Sequence, residues 1–598
     1  MTAERVVGPY ERPIRLQLLR LEQAGYTEWD RPEELGREDH SYLIKYIYKP
    51  EAAPLKSTVS ALLTSCSASE LVLSQKDDTS MDGFEYIDLR ERSLITLPIF
   101  LHKHAQEVIS LNISRNPNFE LPTDFVQLCT SLRELRMASM AIKRVPQSAK
   151  EATGLTRLDI SNNRILELDH IALDELKELI RLEAHNNRIF ALPDYFSGFR
   201  TLKYMNLSNN KFEVFPPILC QIPSLVDLDL SFNALTSLPD SFDELKSLQR
   251  LILVANMISI LPRTFSSLTN LQELDCRYNS IDAFDVLNNL PKLTELKCDY
   301  NKVVSFNIVS ASLRVFCLSN NAINSFALQG TSVSLTELNL SHAKLSAFDV
   351  DCSQLLSLEV LNLDNNQIRT LPDGLTTLIN LTRFSCRENK LESLPEDFGN
   401  LIRLQYLNVS RNDMHALPVS IWHCVELLTL NISSNLLTEF PDPPPIPADG
   451  TAAEEVDRKQ SAASKVSAGP KTFAPMALTL QFLYLADNSL RDEIFHVVSL
   501  MSELRVLNLS FNDIQEIPHR GLAKSIQLEE LYLSGNKLST LPEDDIERLA
   551  NLRIIHLNAN KLTTLPAELG TLKKLHALDV GNNMLKYNIA NWKYDWNW

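Results

Sequence analysis

From Phe84 onward, apolar residues fall in a pattern that neither an amphipathic helix nor an ordinary hairpin strand produces. The cleanest copy places Leu225, Leu228, Leu230, Asn233, Leu235, Leu238 and Pro239 in the order LxxLxLxxNxLxxLP. Its central LxL alternates inward and outward positions, the period-2 signature of a short strand with one buried side. No single copy is long enough to bury its own apolar face, so the copies must stack into a parallel sheet. The trailing LPxx(F/L)xxL, as in LPDSFDELKSL from Leu238 and LPEDFGNLIRL from Leu394, stops the strand with proline. It predicts a return by a short helix or turn.

The asparagine recurs at Asn163, Asn187, Asn210, Asn233, Asn256, Asn279, Asn301 and Asn321, then at Asn366, Asn389, Asn412 and Asn435, and again at Asn488, Asn512, Asn536, Asn560 and Asn583. The usual step of about 23 residues lies within the range of leucine-rich repeats. The expected fold class is therefore α/β: a leucine-rich repeat solenoid with a curved parallel sheet on the concave side and short helices or turns on the convex side. The Asn amide is expected to turn inward and pair with loop backbone groups that would otherwise be buried unsatisfied. Of 21 copies between Phe84 and Leu585, 18 carry it; Arg92, Met140 and Ala343 stand in its place in the others and mark an atypical first repeat and two candidate bends.

Two kinds of sequence interrupt the repeat. Between Asn435 and Asn488 the spacing is 53 residues, and the extra stretch from Pro441 is rich in Pro, Ala, Ser and charge. That composition predicts a disordered insertion over 441–476. Its closure cost is modest because it grows with the logarithm of length. A tolerated insertion is the plain reading, with phosphorylation of its serines the alternative. The repeats thus fall into blocks at 84–440 and 477–585, preceded by a segment at 1–50 and a connector at 51–83, and followed by a Trp/Asn-rich end at 586–598. In the first segment Ile14, Leu18, Leu21 and Ala24 predict a helix between Pro13 and Gly25, and Tyr42 to Tyr48 a strand ended by Pro50.

Composition narrows the chemistry. A formal charge of −17 over 598 residues makes nucleic acid and anionic membranes poor general partners. The opening MTAERVVGPYERP has no apolar core of a signal peptide, and no run approaches the ~18 apolar residues of a membrane span, so a cytosolic chain is expected. Nine cysteines with no CxxC spacing, three of them (Cys276, Cys298, Cys386) at buried repeat positions, read as reduced core fillers. Triplets such as Asn112-Ile113-Ser114 and Asn206-Leu207-Ser208 read as by-products of the repeat's LNLS strand rather than glycosylation sites.

The non-repeat ends carry a resemblance. LLRLEQAGYTEWDRPEELGREDHSYLIKYIY from Leu18 resembles the C-terminal part of the Ras-associating, ubiquitin-like domain that precedes the leucine-rich repeats of Ras-responsive fungal adenylate cyclases. LDVGNNMLKYNIANWKYDWNW from Leu578 is similar to the closing repeats of the same family. The resemblance implies a regulatory region that binds a GTP-loaded Ras-type GTPase, and other signalling proteins, to control cAMP synthesis. It implies residence in the cytoplasm, and at the plasma membrane where Ras holds the protein. It places the paired carboxylates and the Mg or Mn ions of catalysis in a cyclase domain outside this chain, which itself is expected to hold no cofactor or metal and to be a fragment of a longer protein.

On the concave face the candidate partner-binding residues are Arg136, Arg157, Arg181 and His185, then Arg383 and Arg387, then the aromatic set Phe482, Tyr484 and Tyr532. Basic residues beside aromatic anchors suit a protein hot spot, and Ras-type switch surfaces are acidic. A stand-alone leucine-rich repeat scaffold in small-GTPase signalling is the competing reading. Catalysis within the chain would rest on Asp39 with His40 or His423 with Cys424, neighbours that on a strand would face opposite ways.

Overall fold

The computed structural model describes residues 83–287, 290–308, 312–328, 334–445 and 474–585. The expected Ras-associating tail, most of the connector, residues 446–473 of the insertion and the Trp/Asn-rich end lie outside the described residues. The chain divides into two units, Met1–Phe84 and Glu85–Trp598, the second of which is the solenoid.

Among the described residues the solenoid builds a 21-stranded sheet, from Tyr86–Asp88 to Ala577–Asp579. Every pairing is parallel and in register, as Arg157 with Arg181 and Leu158 with Leu182 show. Each three-residue strand turns its middle residue into the core; Leu158, Leu182 and Leu228 are completely buried. The other two residues lie toward the concave side, half-buried in most strands and buried at Asp275, Asn362 and Ser385, so successive repeats stack like with like.

Most returns are single 3₁₀ turns led by the LP proline. In Asp240–Glu244 the preceding Pro239 is extended and Phe242 is buried. Its ring lies 5.4 Å from Phe265, the F of the next LPxxF, and 5.2 Å from Phe215, which stands in place of the LP leucine one repeat before, so the rings stack from repeat to repeat under the sheet. Three returns tighten into α-helices, Thr123–Leu128, Ile494–Val498 and Glu543–Arg548. All three fall in 24-residue copies, although the 24-residue copies from Arg92 and from Asn163 keep 3₁₀ returns.

The ladder asparagines work as expected. Asn163 is 8% exposed. Its Nδ2 donates to the carbonyls of Ile160 and Ser161 in its own repeat and of Met137 in the one before. Its Oδ1 accepts from the amides of Met140 and Ile142. Asn116, which is fully buried, does the same for Leu89, Arg92 and Leu94. Where Met140 and Ala343 replace Asn, both are buried, and the strand register continues unbroken on either side. The residue before the Asn is left-handed in nearly every repeat, even where it is bulky: φ is 53° at Phe232, 56° at Tyr278 and 55° at Phe511.

One feature was not legible. Ser305–Ile308 and Ser325–Leu328 form a second, two-stranded parallel sheet in place of 3₁₀ returns. The copies here lack the LP proline, and the step from Asn301 to Asn321 is only 20 residues. Without proline the chain keeps its ladder donors, and with three residues fewer it runs straight.

The insertion interrupts nothing in the sheet. Thr429–Asn431 pairs directly with Phe482–Tyr484, and Asn488 reaches across to the Ile432 carbonyl and the Leu437 amide. Its described flanks belong to the solenoid. The fully buried Trp422 donates its indole N–H to the Pro441 carbonyl at 2.9 Å, and the chain resumes in the 3₁₀ turn Pro475–Leu478 with Met476 buried. The predicted boundaries at 441 and 476 therefore cut into packed residues.

The eight cysteines of the described residues are free thiols, and burial pushes Cys276, Cys298 and Cys386 well above the ordinary thiol range. They fill core positions. Among the described residues no helix is long and apolar enough to cross a membrane.

Candidate functional site: the concave sheet face

Three outward positions of each repeat line the face: the two flanking the strand's central leucine, and one after the next leucine. The middle of these columns does structural work. Asp159 accepts from the Ser161 amide at 3.0 Å, Asn206 from Ser208 at 3.0 Å, and Asn408 from Ser410 at 3.1 Å. The LNLS triplets are thus turns closed by the Asn or Asp oxygen, which is why they recur.

Arg136, Arg157, Arg181 and His185 come together on three consecutive strands, Glu134–Arg136, Arg157–Asp159 and Arg181–Glu183. They do not form an open basic patch. Arg136 meets Glu134 at 2.7 Å and Arg157 meets the same carboxylate at 3.4 Å. Arg181 and His185 flank Glu183 at 3.1 and 3.6 Å. Glu183 raises the His185 imidazole above its ordinary value despite an opposing effect of burial, and His185 and Arg181 hold Glu183 below the usual carboxylate range. For Glu134, burial is outweighed by Arg136, Ser110 and Arg157, and its carboxyl is also lowered. Arg181 further lies over the Tyr204 ring, 4.4 Å from its centre. Glu134 and Tyr204 were missed as site residues, although a step of one repeat in the sequence places each beside its arginine.

Arg383 and Arg387 share the strand Arg383–Ser385 and the turn after it. Nine strand steps separate it from Arg181–Glu183, roughly 43 Å along the sheet at about 4.8 Å per step. Arg383 lies over Tyr406 at 4.6 Å, and Arg387 meets Glu388 at 2.8 Å. Phe482 and Tyr484 stand three strands further on, and Tyr532 two beyond that, its hydroxyl donating to Glu530 at 2.7 Å and its ring 5.0 Å from His556. The nine candidates thus form three separate groups. Between the first two lies a charge chain of Asp227, Arg250, Glu273, Lys297 and Glu295, linked at 2.8 to 3.5 Å.

His423 and Cys424 lie not on a strand but at the end of the 3₁₀ return Val419–His423. The Cys424 thiol is sealed in the core and burial pushes it up to about 12, so it is no nucleophile. Asp39 and His40 lie outside the described residues. Among the described residues no group of three or more His, Cys, Asp or Glu is placed to hold a metal ion.

Sheet, ladder and returns together define a leucine-rich repeat protein. Leucine-rich repeat family models match residues 153–212, 357–378, 502–562 and 526–585, and the PHLPP protein RA domain model matches residues 1–48. Among solved structures the fold is shared with the plant peptide hormone receptor RGFR1 in complex with RGF2 (TM-score 0.59, 25% identity, 82% of this chain and 76% of that one). YopM of Yersinia enterocolitica also shares it (TM-score 0.51, 21% identity, 84% and 88%). From end to end the chain is similar to fungal adenylate cyclases. It is 46% identical over 625 residues to adenylate cyclase of Mycosarcoma maydis, covering 100% of this chain and 24% of that protein. It is 39% identical over 678 residues to that of Podospora anserina, covering 99% and 31%. The chain spans a quarter to a third of the length of these relatives.

Proposed function

We propose that this chain is the regulatory region of an adenylate cyclase, and that its concave face takes a GTP-loaded Ras-type GTPase to control cAMP synthesis. The observation that carries the reading is the whole-length similarity to two fungal adenylate cyclases, with an RA-type segment ahead of the repeats. In this reading the catalytic carboxylates and their Mg or Mn ions belong to a domain outside this chain. The protein works in the cytoplasm and meets the membrane only through its GTPase.

The contact is placed on Arg136, Arg157, Arg181 and His185. Glu134 and Glu183 hold these cations in fixed positions while leaving donors over, since a guanidinium has five N–H groups. An acidic switch surface would meet preorganised donors and lose little side-chain entropy. GTP-form binding then shifts the cyclase toward its active state by contacts the GDP form does not make.

The test immobilises the full chain and measures binding of a fungal Ras-type GTPase loaded with a non-hydrolysable GTP analogue or with GDP. At least tenfold tighter binding of the GTP form is expected, with a further tenfold loss for Arg157→Glu plus Arg181→Glu. Equal affinity for both nucleotide states would sink the function; an unchanged double variant would move the contact elsewhere.

A further inference from the structure

Each return enters the next strand through a short turn that follows a buried core position, as Ile402 and Arg403 follow Leu401. The first residue of that turn faces solvent, where polar side chains or proline are at home. On five consecutive repeats it is Lys177, Arg200, Pro223, Lys246 and Thr269. Further along, five consecutive repeats place Leu356, Ile379, Ile402, Val425 and Leu478 there instead, each between 38 and 53% exposed. The strands they lead into, from Val360–Asn362 to Phe482–Tyr484, pair side by side in register, so the five side chains stand in one file. Four strand steps at about 4.8 Å make the file roughly 19 Å long. Single exposed leucines are ordinary on a protein surface, whereas a contiguous file rimmed by polar residues marks a surface that another molecule covers.

The flanking charges point to what covers it. The second turn residue is Arg403 after Ile402 and Glu426 after Val425, both exposed. Arg403 donates to Asn380 Oδ1 at 2.9 Å and Glu426 accepts from Gln405 Nε2 at 3.2 Å, and among the described residues neither makes an ion pair. One surface thus offers a cation and an anion one repeat apart beside an aliphatic file, an arrangement complementary to itself. A two-fold axis midway between Ile402 and Val425 sets each Arg403 opposite the partner's Glu426, twice over. The same axis lays Ile402 against the partner's Val425 and Ile379 against the partner's Leu478. An axis through Ile402 itself would oppose the two copies of Arg403, so the charges choose the register.

We propose that this file is the interface of a two-fold symmetric dimer of the chain, with Arg403 and Glu426 as reciprocal ion pairs across it. At their exposures the five side chains offer roughly 400 Å² of apolar surface per copy, which with a polar rim makes about 600 Å² a side and about 1,200 Å² in all. That is the low end of specific interfaces, so a reversible dimer of micromolar affinity is expected. An isologous patch is used up when two copies meet, and assembly stops there. The file lies on turns, its first strand eight steps along the sheet from Arg181–Glu183, so the dimer stands or falls separately from the proposed GTPase contact.

The test is sedimentation velocity of the full chain over a concentration series. A reversible monomer–dimer equilibrium is expected, and Ile402→Glu, at an exposed turn, is expected to weaken it at least tenfold with an unchanged melting temperature. Arg403→Glu and Glu426→Arg each set like charges across the axis twice, and each alone is expected to weaken dimerisation about tenfold. Mixed in equal amounts, the two variants form a heterodimer in which both pairs are matched, with an affinity within about threefold of the parent homodimer. Pairing within one chain cannot produce that rescue, because each variant carries like charges at both positions. A monomer at every concentration up to about 0.5 mM, an assembly larger than a dimer, a dimer that survives Ile402→Glu, or a mixture that associates no better than either variant alone would each overturn the interface. Binding of the GTP-loaded GTPase by immobilised Ile402→Glu chain is expected to match the parent chain, which keeps this outcome apart from failure of the regulatory reading.

Discussion

A ladder asparagine satisfies more backbone than any other single side chain of the repeat. Asn256 donates to Leu230, Leu253 and Val254 carbonyls at 3.0 to 3.4 Å and accepts from the Leu235 amide at 3.0 Å. Asn256→Ala would strand these groups, and a loss of about 3 kcal/mol in urea unfolding is expected, with amide exchange fastest around residues 230–256. A loss under about 0.5 kcal/mol would show that water replaces the amide freely. Asp364 is the opposite case, a carboxyl kept in the core. Burial raises it to about 6, against the lowering effect of hydrogen bonds from the Ser385 hydroxyl and the Arg387 amide, both 2.6 Å. The folded state therefore holds the proton more tightly than the unfolded one. This contribution is full below the ordinary carboxylate value and is lost as pH rises through about 6, a change of about 3 kcal/mol. Asp364→Asn keeps an acceptor and removes the titration. Its stability relative to the parent chain is expected to be greater at pH 7.5 than at pH 4 by about 2 kcal/mol, most of that amount; a constant difference would rule Asp364 out. The ladder was legible because spacing alone marks it. The pairing of Glu134 with two arginines was not read, because a column of charges was taken one residue at a time instead of across the repeat step.

At the scale of the element, repeat length limits what the return can become. The α turns occur only in 24-residue copies, though two others of that length keep 3₁₀ returns, copies of 23 give 3₁₀ turns, and the proline-free copies of 20 and 22 residues from Asn301 and Asn321 give strands. The strands were readable from LxL and the stop from proline. The side sheet was not, because SFNI and SFAL differ from neighbouring copies mainly in what they lack. How tightly returns stack is also invisible in sequence. In Phe398–Asn400 a Cβ on Gly399 would lie 2.1 Å from the Ser420 carbonyl of the next return, while Gly570 in Ala567–Thr571 has nothing within 4 Å. Gly399→Ala is thus expected to cost about 2–3 kcal/mol by prising two returns apart, and Gly570→Ala to leave stability unchanged or slightly raised. Equal melting temperatures for the two variants would contradict the packing.

At the scale of the whole molecule, a solenoid is held by nearest neighbours, so an interruption matters only if it breaks a neighbour contact. The insertion breaks none that the described residues show. Thr429 pairs with Phe482, Leu430 with Leu483 and Asn431 with Tyr484, just as strands elsewhere pair one repeat apart. Asn488 closes its ladder at 3.0 Å to Leu437, the distance found for Asn256 to Leu235. Pro441 on one side and Met476 on the other are already fixed by the core. Replacing residues 446–473 by an eight-residue Gly-Ser linker is therefore expected to leave the melting temperature within about 2 °C, because shortening a loop between fixed ends changes its closure entropy by only about 1 kcal/mol. The proposed GTPase contact at Arg157 and Arg181, many strands away, should be untouched. A fall of more than about 5 °C, or a split into two unfolding transitions, would mean that the two repeat blocks are joined by more than the strands and the ladder. The flanking residues from Pro441 and up to Met476 would then have to be held by the segment they enclose, not by Trp422 and the core.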